Sequence, residues 1–262
     1  MITRDAAHRY TYEGITYPGV TTILGMLDKS GPLMGWAARQ TAEAAVGMLE
    51  QNPLTGDWSG GALTTLMENV GSRGVIAALT SRSNWQRDEA AQLGTEVHSL
   101  ADLVVHGKTL PDTMTDTQRK RVEHYARWWE SSGWKVRLSE AMVLQRGDHA
   151  QGGWGGTFDL LAYDRDGRTV LADIKTGKAV YKEAVLQLAA YGMCSIVQPT
   201  LDQPMVQAAT YPMPLPDRYV ILHVTAEGVR EVEVAVGTAE RMAFLSCLDL
   251  YHWNESMKGK RL

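Results

Sequence analysis

Cysteine and phenylalanine are nearly absent from this chain, no apolar run is long, and positive charge is not in excess. Each shortage removes a class of protein. Two cysteines in 262 residues exclude a disulfide scaffold or a four-thiolate cluster built within one chain. Cys194 and Cys247 both stand in apolar helical context, read as small buried hydrophobes, and suit a reducing cytosol. The apolar runs are broken by polar residues, so none is long enough to cross a bilayer, and no membrane partner is expected. The opening Met1-Ile2-Thr3-Arg4-Asp5 lacks the apolar core of a secretory signal. A net charge of −4 excludes binding of nucleic acid by bulk charge alone, yet it allows an enzyme that gathers carboxylates around a metal. What is present, 44% hydrophobic and 21% charged residues, is the composition of a globular chain. The length suits one large domain, or one domain with a helical appendage.

Hydrophobic period and turn residues predict an α/β chain in two parts. Residues 8–17 alternate around Glu13-Gly14 and read as a small hairpin. Val20 to Leu27 and Gly35 to Leu49 read as helices separated by Pro32, residues 51–61 as a loop, and Ala62 to Leu79 and Asn84 to Val105 as two further helices. This makes residues 1–90 a mainly helical N-terminal region. Thr115-Asp116-Thr117-Gln118 forms a capping box for a helix running to about Glu130. That helix sets Arg119, Lys120, Arg121 and Arg127 beside Trp128 and Trp129, which fits a charged outer face over a core edge or a surface for phosphates and bases. The period then shortens. Strands are predicted at Trp134 to Leu144, Thr157 to Tyr163, Thr169 to Lys175, Met205 to Tyr211, Arg218 to Val224 and Val229 to Val236. Helices are predicted at Ala179 to Val197 and from Thr238 to about Ser256. Residues 91–262 thus read as a mixed sheet flanked by helices.

Asp173-Ile174-Lys175 carries the most chemistry. Residues two apart on a strand share a face, so Asp173 and Lys175 project together from an otherwise apolar strand. The preceding turn places a second acid. Gly167 suits the left-handed third position of a three-residue loop, which pairs Asp164 with Arg168 and, counting outward, sets Asp159 opposite Asp173. Two carboxylates roughly 5 Å apart repel unless a cation lies between them. A four-residue loop would shift the register and separate the two acids. An exposed ion pair is the structural alternative for Asp173 and Lys175. The glycines at 152, 153, 155 and 156 permit close approach of backbone or substrate just ahead of Asp159, or form a flexible loop.

The stretch GGTFD…DIKTGK…QLAAY resembles the PD-(D/E)XK nucleases of the RecB branch, which includes phage exonucleases and the mitochondrial genome-maintenance exonuclease. Asp159, Asp173 and Lys175 match its acid, acid and lysine, and Gln187 and Tyr191 its QxxxY element. GTEVH resembles its upstream helix, which makes His98 the metal-binding histidine, and Glu140 corresponds to its acid on the first core strand. The opening YPGVTTIL is similar to that of phage and mitochondrial members, with Gly19 in place of the usual serine. The matched motifs lie between about residues 94 and 192. Several relatives carry four cysteines for an iron–sulfur cluster, and this chain resembles the members without one.

The resemblance implies a restriction-endonuclease-like core and a cytoplasmic enzyme of a bacterial or phage-infected cell. It would hydrolyse DNA phosphodiesters at single strands or duplex ends during recombination, repair or end processing, beside a single-strand annealing or binding protein. It further implies Mg²⁺ or Mn²⁺ held by His98, Asp159, Asp173, Glu140 and the Ile174 carbonyl, with Lys175 as the catalytic cation and Gln187 and Tyr191 ordering the site. A structure- or sequence-specific endonuclease, or a non-catalytic nucleic-acid-binding relative, are the alternatives. Lys178 reads as a solvated cap residue or a phosphate contact. Trp85 and Trp154 read as buried rings or as stacking platforms.

Overall fold

The computed structural model describes residues 1–27, 30–51, 58–147, 152–199 and 210–260. In chain order the elements are β1 (Thr3–Arg4), β2 (Tyr10–Tyr12), β3 (Ile15–Tyr17), α1 (Val20–Leu24), α2 (Ser30–Val46), β4 (Glu50–Gln51), β5 (Trp58–Ser59) and α3 (Gly61–Val105). There follow α4 (Asp116–Ser132), β6 (Lys135–Gln145), β7 (Trp154–Tyr163), β8 (Thr169–Lys175), α5 (Lys182–Gly192) and β9 (Ile196–Gln198). The last are β10 (Tyr211–Pro212), β11 (Arg218–Val224), β12 (Val229–Val234) and α6 (Thr238–Met257).

Two compact units result. One joins Met1–Leu27 to Gly94–Leu262, and the other is Asp28–Leu93. The N-terminal hairpin, grouped by sequence with the helical region, therefore belongs with the sheet. The smaller unit contains α2, the β4–β5 pair and the first part of α3. Pro32 does not separate helices. It stands in the first turn of α2, where a missing N–H breaks no intrahelical bond. The expected break near residue 80 is likewise absent, and α3 is instead interrupted at Gly71, whose φ of 67° and ψ of 173° are closed to other residues.

The larger unit is mixed α/β. Its seven-stranded sheet has the order β10-β9-β6-β7-β8-β11-β12, with β8 and β11 parallel and the other pairs antiparallel. A three-stranded sheet, β1-β2-β3, accompanies it. Leu161, Leu171, Tyr219 and Ile221 face a core shared with Leu188 and Tyr191 of α5 and Phe244 and Leu248 of α6. The alternate residues Leu160 and Ile174 face Ala101 and Val105 of α3 and Tyr125 of α4. Helices thus cover both faces, and β8 is buried on both, which accounts for its apolar Val170, Leu171, Ala172 and Ile174.

Three local signals work as read. Thr115 Oγ1 accepts from Gln118 N at 3.3 Å and Gln118 Oε1 accepts from Thr115 N at 2.7 Å, closing the capping box of α4. Glu13 and Gly14 both have positive φ, 50° and 79°, as a two-residue hairpin turn requires. The β7–β8 turn is the three-residue form: Asp164 N donates to Arg168 O and Gly167 N to Asp164 O, each at 3.0 Å, with Gly167 at φ 79°. The pairs Leu160–Ala172 to Tyr163–Thr169 follow.

Other elements depart from the sequence reading. β7 begins at Trp154, so Gly155 and Gly156 are strand residues rather than a loop. A Cβ on Gly155 would overlap the Tyr10 ring and one on Gly156 the Tyr191 ring, which is why both sites lack side chains. The helix expected to run to Val197 ends at Gly192, and Ile196–Gln198 joins the sheet beside β6. The strand expected at 205–211 lies outside the described residues except for its last two positions.

Asp164 ties the β7–β8 turn to the sheet. Its Oδ1 accepts from Asp166 N at 3.0 Å and Arg168 N at 2.9 Å, and its Oδ2 from Arg168 Nε and Arg218 Nη1, both at 2.9 Å. Burial opposes ionisation, but the Arg168 backbone, the Arg218 side chain and the Asp166 backbone outweigh it and hold this carboxyl below the usual carboxylate range. Asp164→Ala should lower unfolding free energy by about 2 kcal/mol at neutral pH in urea titrations. Because the folded pKa is depressed, that gap should persist above the ordinary value of 3.8 and close as pH falls below it.

Candidate active site

The site forms where the sheet loses its regular pairing. On β6 and β7, Ser139 pairs with Leu160 and Ala141 with Phe158, leaving Glu140 and Asp159 on an irregular rung between them. Glu140 has φ 47°, rare for a residue with a long side chain. The consequence is a change of face. Ser139 meets the α3 residues Asp102 and His106, whereas Ala141, only two residues on, lies in the α5–α6 core with Phe158. Pairing of β7 with β8 also stops one rung early, at Leu160–Ala172. In place of a backbone bond, Asp159 Oδ2 accepts from Ile174 N at 2.6 Å.

Three side chains converge on this break. His98 of α3, Glu140 of β6 and Asp159 of β7 each present a ligand atom, and those atoms lie within 4.8 Å of one another. His98 Nδ1 stands 3.2 Å from Asp159 Oδ1. A cavity of about 10 Å³, room for one water- or ion-sized occupant, opens among them and is also lined by Asp102, Ser139 and Ile174. Burial works to remove the His98 proton, but Asp159 prevails and raises the imidazole from 6.5 to about 9. Glu140 is pushed up to about 7, by burial first and by the Asp159 charge next. Asp159 is itself held below its ordinary value, because His98, Lys175 and the Ile174 N–H overcome its burial. The group therefore requires a cation in its midst, and the His98 proton fills that role. One imidazole nitrogen and two carboxylate oxygens are also a donor set suited to Mn²⁺ or Mg²⁺.

Asp173 and Lys175 lie on the α5 side. Lys175 Nζ is 2.6 Å from Asp173 Oδ2 and donates to Gln187 Oε1 at 3.1 Å; Gln187 Nε2 in turn donates to Tyr191 Oη at 2.8 Å. Burial lowers the lysine pKa, but the Asp173 and Asp159 carboxylates raise it further, so the net direction is up and Nζ stays charged. Asp173 is 1% exposed, and among the described residues neither of its oxygens accepts a hydrogen bond, the lysine contact lying off the hydrogen-bonding direction. Burial first, and Asp159 after it, lift this carboxyl to about 6. The Lys175 ammonium is thus the one cation in contact with this carboxylate among the described residues.

The structure thus groups the residues read from sequence into two adjoining sets. His98, Asp159 and Glu140 form a triangle, and Asp173, Lys175, Gln187 and Tyr191 a chain on the other side of β8. Asp173 is not part of the triangle, although its charge acts on both His98 and Asp159. Ile174 meets Asp159 through its N–H.

Residues weighed for substrate contact separate clearly. Trp154 is buried, donates to Ala190 O at 3.1 Å and stands edge-on to Phe244. Trp85 is exposed and belongs to the smaller unit. Trp128 packs on Tyr125, Trp129 and Trp134 and donates to Glu231, the arrangement of a core edge. Lys178 is an exposed residue of the bend after β8.

Sequence reading missed His223, whose Nε2 donates to Gly177 O at 2.7 Å and fixes that bend. It also missed Asp102, Ser139 and His106. The signal for Asp102 and His106 was present, since His98, Asp102 and His106 follow one another at a spacing of four.

No protein-family profile and no curated protein matches this chain. Among solved structures, the crystal structure of SSO0001 aligns with 56% of this chain and 61% of its own length, at 10% identity and a TM-score of 0.32. Among the described residues, no helix is long and apolar enough to cross a membrane.

The electrostatics are testable without metal. In chelator-treated protein, NMR of the imidazoles should show His98 titrating near pH 9. Asp159→Asn removes the charge that opposes burial and should move that titration down toward the ordinary 6.5.

Proposed function

We propose that the chain is a divalent-metal-dependent deoxyribonuclease of the PD-(D/E)XK type, with a restriction-endonuclease-like core, that acts on DNA ends as an exonuclease. The observation that carries this reading is the juxtaposition of the His98–Glu140–Asp159 triangle with Asp173 and Lys175 at one break in the sheet. Three acids, an imidazole and an ammonium withdrawn from water at one break are more than an isolated structural ion pair needs, since each buried charge carries a desolvation cost.

His98, Glu140 and Asp159 would hold Mg²⁺ or Mn²⁺, with Asp173 close enough to share its charge. Such an ion supplies an acidified water and a polarised phosphodiester. The chain's own groups do the rest. Lys175, kept cationic by Asp173 and Asp159, cannot act as a base at neutral pH and serves to stabilise negative charge developing on the phosphate. Gln187 fixes Nζ, and Tyr191, seated against Gly156, fixes Gln187. Selectivity for DNA ends, and cooperation with a single-strand annealing or binding protein, follow from the RecB-branch resemblance alone.

Lys175→Ala and Asp173→Ala should each lower Mg²⁺- or Mn²⁺-dependent cleavage by about 100-fold or more with folding intact by circular dichroism. Cleavage retained in both variants would remove the catalytic assignment. Digestion of end-labelled linear DNA with covalently closed circles spared is the result expected of an exonuclease, and nicking of circles points to the endonuclease.

A further inference from the structure

A polar chain lies behind the triangle. Ser139 Oγ donates to Asp102 Oδ1 at 2.5 Å. His106 Nε2 is 2.7 Å from Ser139 Oγ and 3.4 Å from Asp102 Oδ1. With the serine proton committed to Asp102, the imidazole must donate to the serine oxygen, so Nε2 carries a hydrogen. Ser139 is 2% exposed, and the pair it forms with Asp102 joins the helix that bears His98 to the strand that bears Glu140. Asp102 stands one helical turn beyond His98, and Ser139 immediately precedes Glu140 in its left-handed conformation.

Asp102 lines the cavity with His98, Glu140 and Asp159, yet it is outside the set whose ligand atoms approach within 4.8 Å. Only its Oδ1 is engaged; among the described residues, Oδ2 takes no hydrogen bond. A carboxylate held by one oxygen, with no hydrogen bond to the other among the described residues, in the wall of a cation-sized space is placed for a hydrogen-bonding role. Mg²⁺ and Mn²⁺ bound by three protein atoms keep part of their hydration shell, and those waters need acceptors.

We propose that Asp102 is the outer carboxylate of this centre: it accepts a hydrogen bond from the hydration shell of the bound cation, and Ser139 with His106 are positioning residues that hold it there. The inference rests on the metal-site reading above, and it deepens it by adding residues that touch no substrate.

The test is Mn²⁺ binding to the full chain, followed by calorimetry and by electron paramagnetic resonance of free Mn²⁺, with thermal unfolding of the metal-free protein alongside. Asp102→Ala should weaken Mn²⁺ binding about 10- to 100-fold, the usual effect of losing such a partner. Asp102→Asn keeps an acceptor of the same size and should restore most of the affinity. Ser139→Ala keeps the carboxylate but loosens its hold, and should weaken binding by less than Asp102→Ala. Affinity within twofold of wild type in Asp102→Ala overturns the proposal. Equal weakening in Asp102→Ala and Ser139→Ala also overturns it, since that pattern marks a clamp between helix and strand and no more. Wild-type protein that binds Mn²⁺ in this pattern but cuts no DNA refutes the nuclease reading and leaves the role of Asp102 standing.

Discussion

One contact organises this molecule: the Asp159 carboxylate standing in for the backbone where β7 parts from β8. By accepting the Ile174 N–H, it satisfies a donor that the shortened ladder would otherwise orphan. The same carboxylate faces His98, so the helix α3 is referred to the sheet through a charged group rather than through apolar packing alone. Its neighbour on β6, Glu140, takes up a left-handed backbone that costs about 1–3 kcal/mol in a non-glycine residue. Strain of this kind persists only where surrounding structure enforces it. Here the enforcement comes from strand pairing in one register at Leu138 and Ser139 and again from Ala141 to Gln145, and from Ser139 tied to α3.

Around that contact the charges are arranged for mutual dependence. His98 and Lys175 are the cations; Asp159, Asp173 and Glu140 are the acids, and all five are at least partly withdrawn from water. With so many acids, one carboxylate must take a proton or the group must take another cation. The pKa pattern expresses this frustration. Asp159 is depressed, while Asp173 and Glu140 rise to about 6 and about 7. Environments that drive neighbouring groups apart in this way occur at catalytic sites and in structural ion-pair networks alike.

Much of this was legible in the residues. The register of β7 on β8 follows from Gly167 and Asp164, because a turn with a fixed length and a left-handed position admits a single pairing. The start of α4 follows from Thr115 and Gln118, which act locally. The triangle itself was only half visible. Counting along a regular ladder puts Asp159 and Asp173 together, but the ladder ends one rung before them, and the third member of the triangle is Glu140 rather than Asp173. Nothing in the sequence near Glu140 announces a left-handed residue, since tertiary contacts impose it. The early end of α5 escaped notice for a similar reason. Residues 193–197 are apolar enough to continue a helix, and it is the open edge of β6 that claims Ile196 to Gln198.

The two borders of the seven-stranded sheet have a bearing on how the chain behaves at high concentration. β12 carries Arg230, Glu231 and Glu233, and two of these are already engaged, Glu231 by Trp128 and Glu233 by the Arg218 fork. At the far border, among the described residues, β10 is two residues long and includes Pro212, which offers no N–H. An incoming strand would meet desolvation of charge at one margin and a missing donor at the other. Growth of the sheet from one molecule to the next is thereby discouraged, and the aggregation to which large open sheets are prone is countered by the ordinary surface residues of their outermost strands.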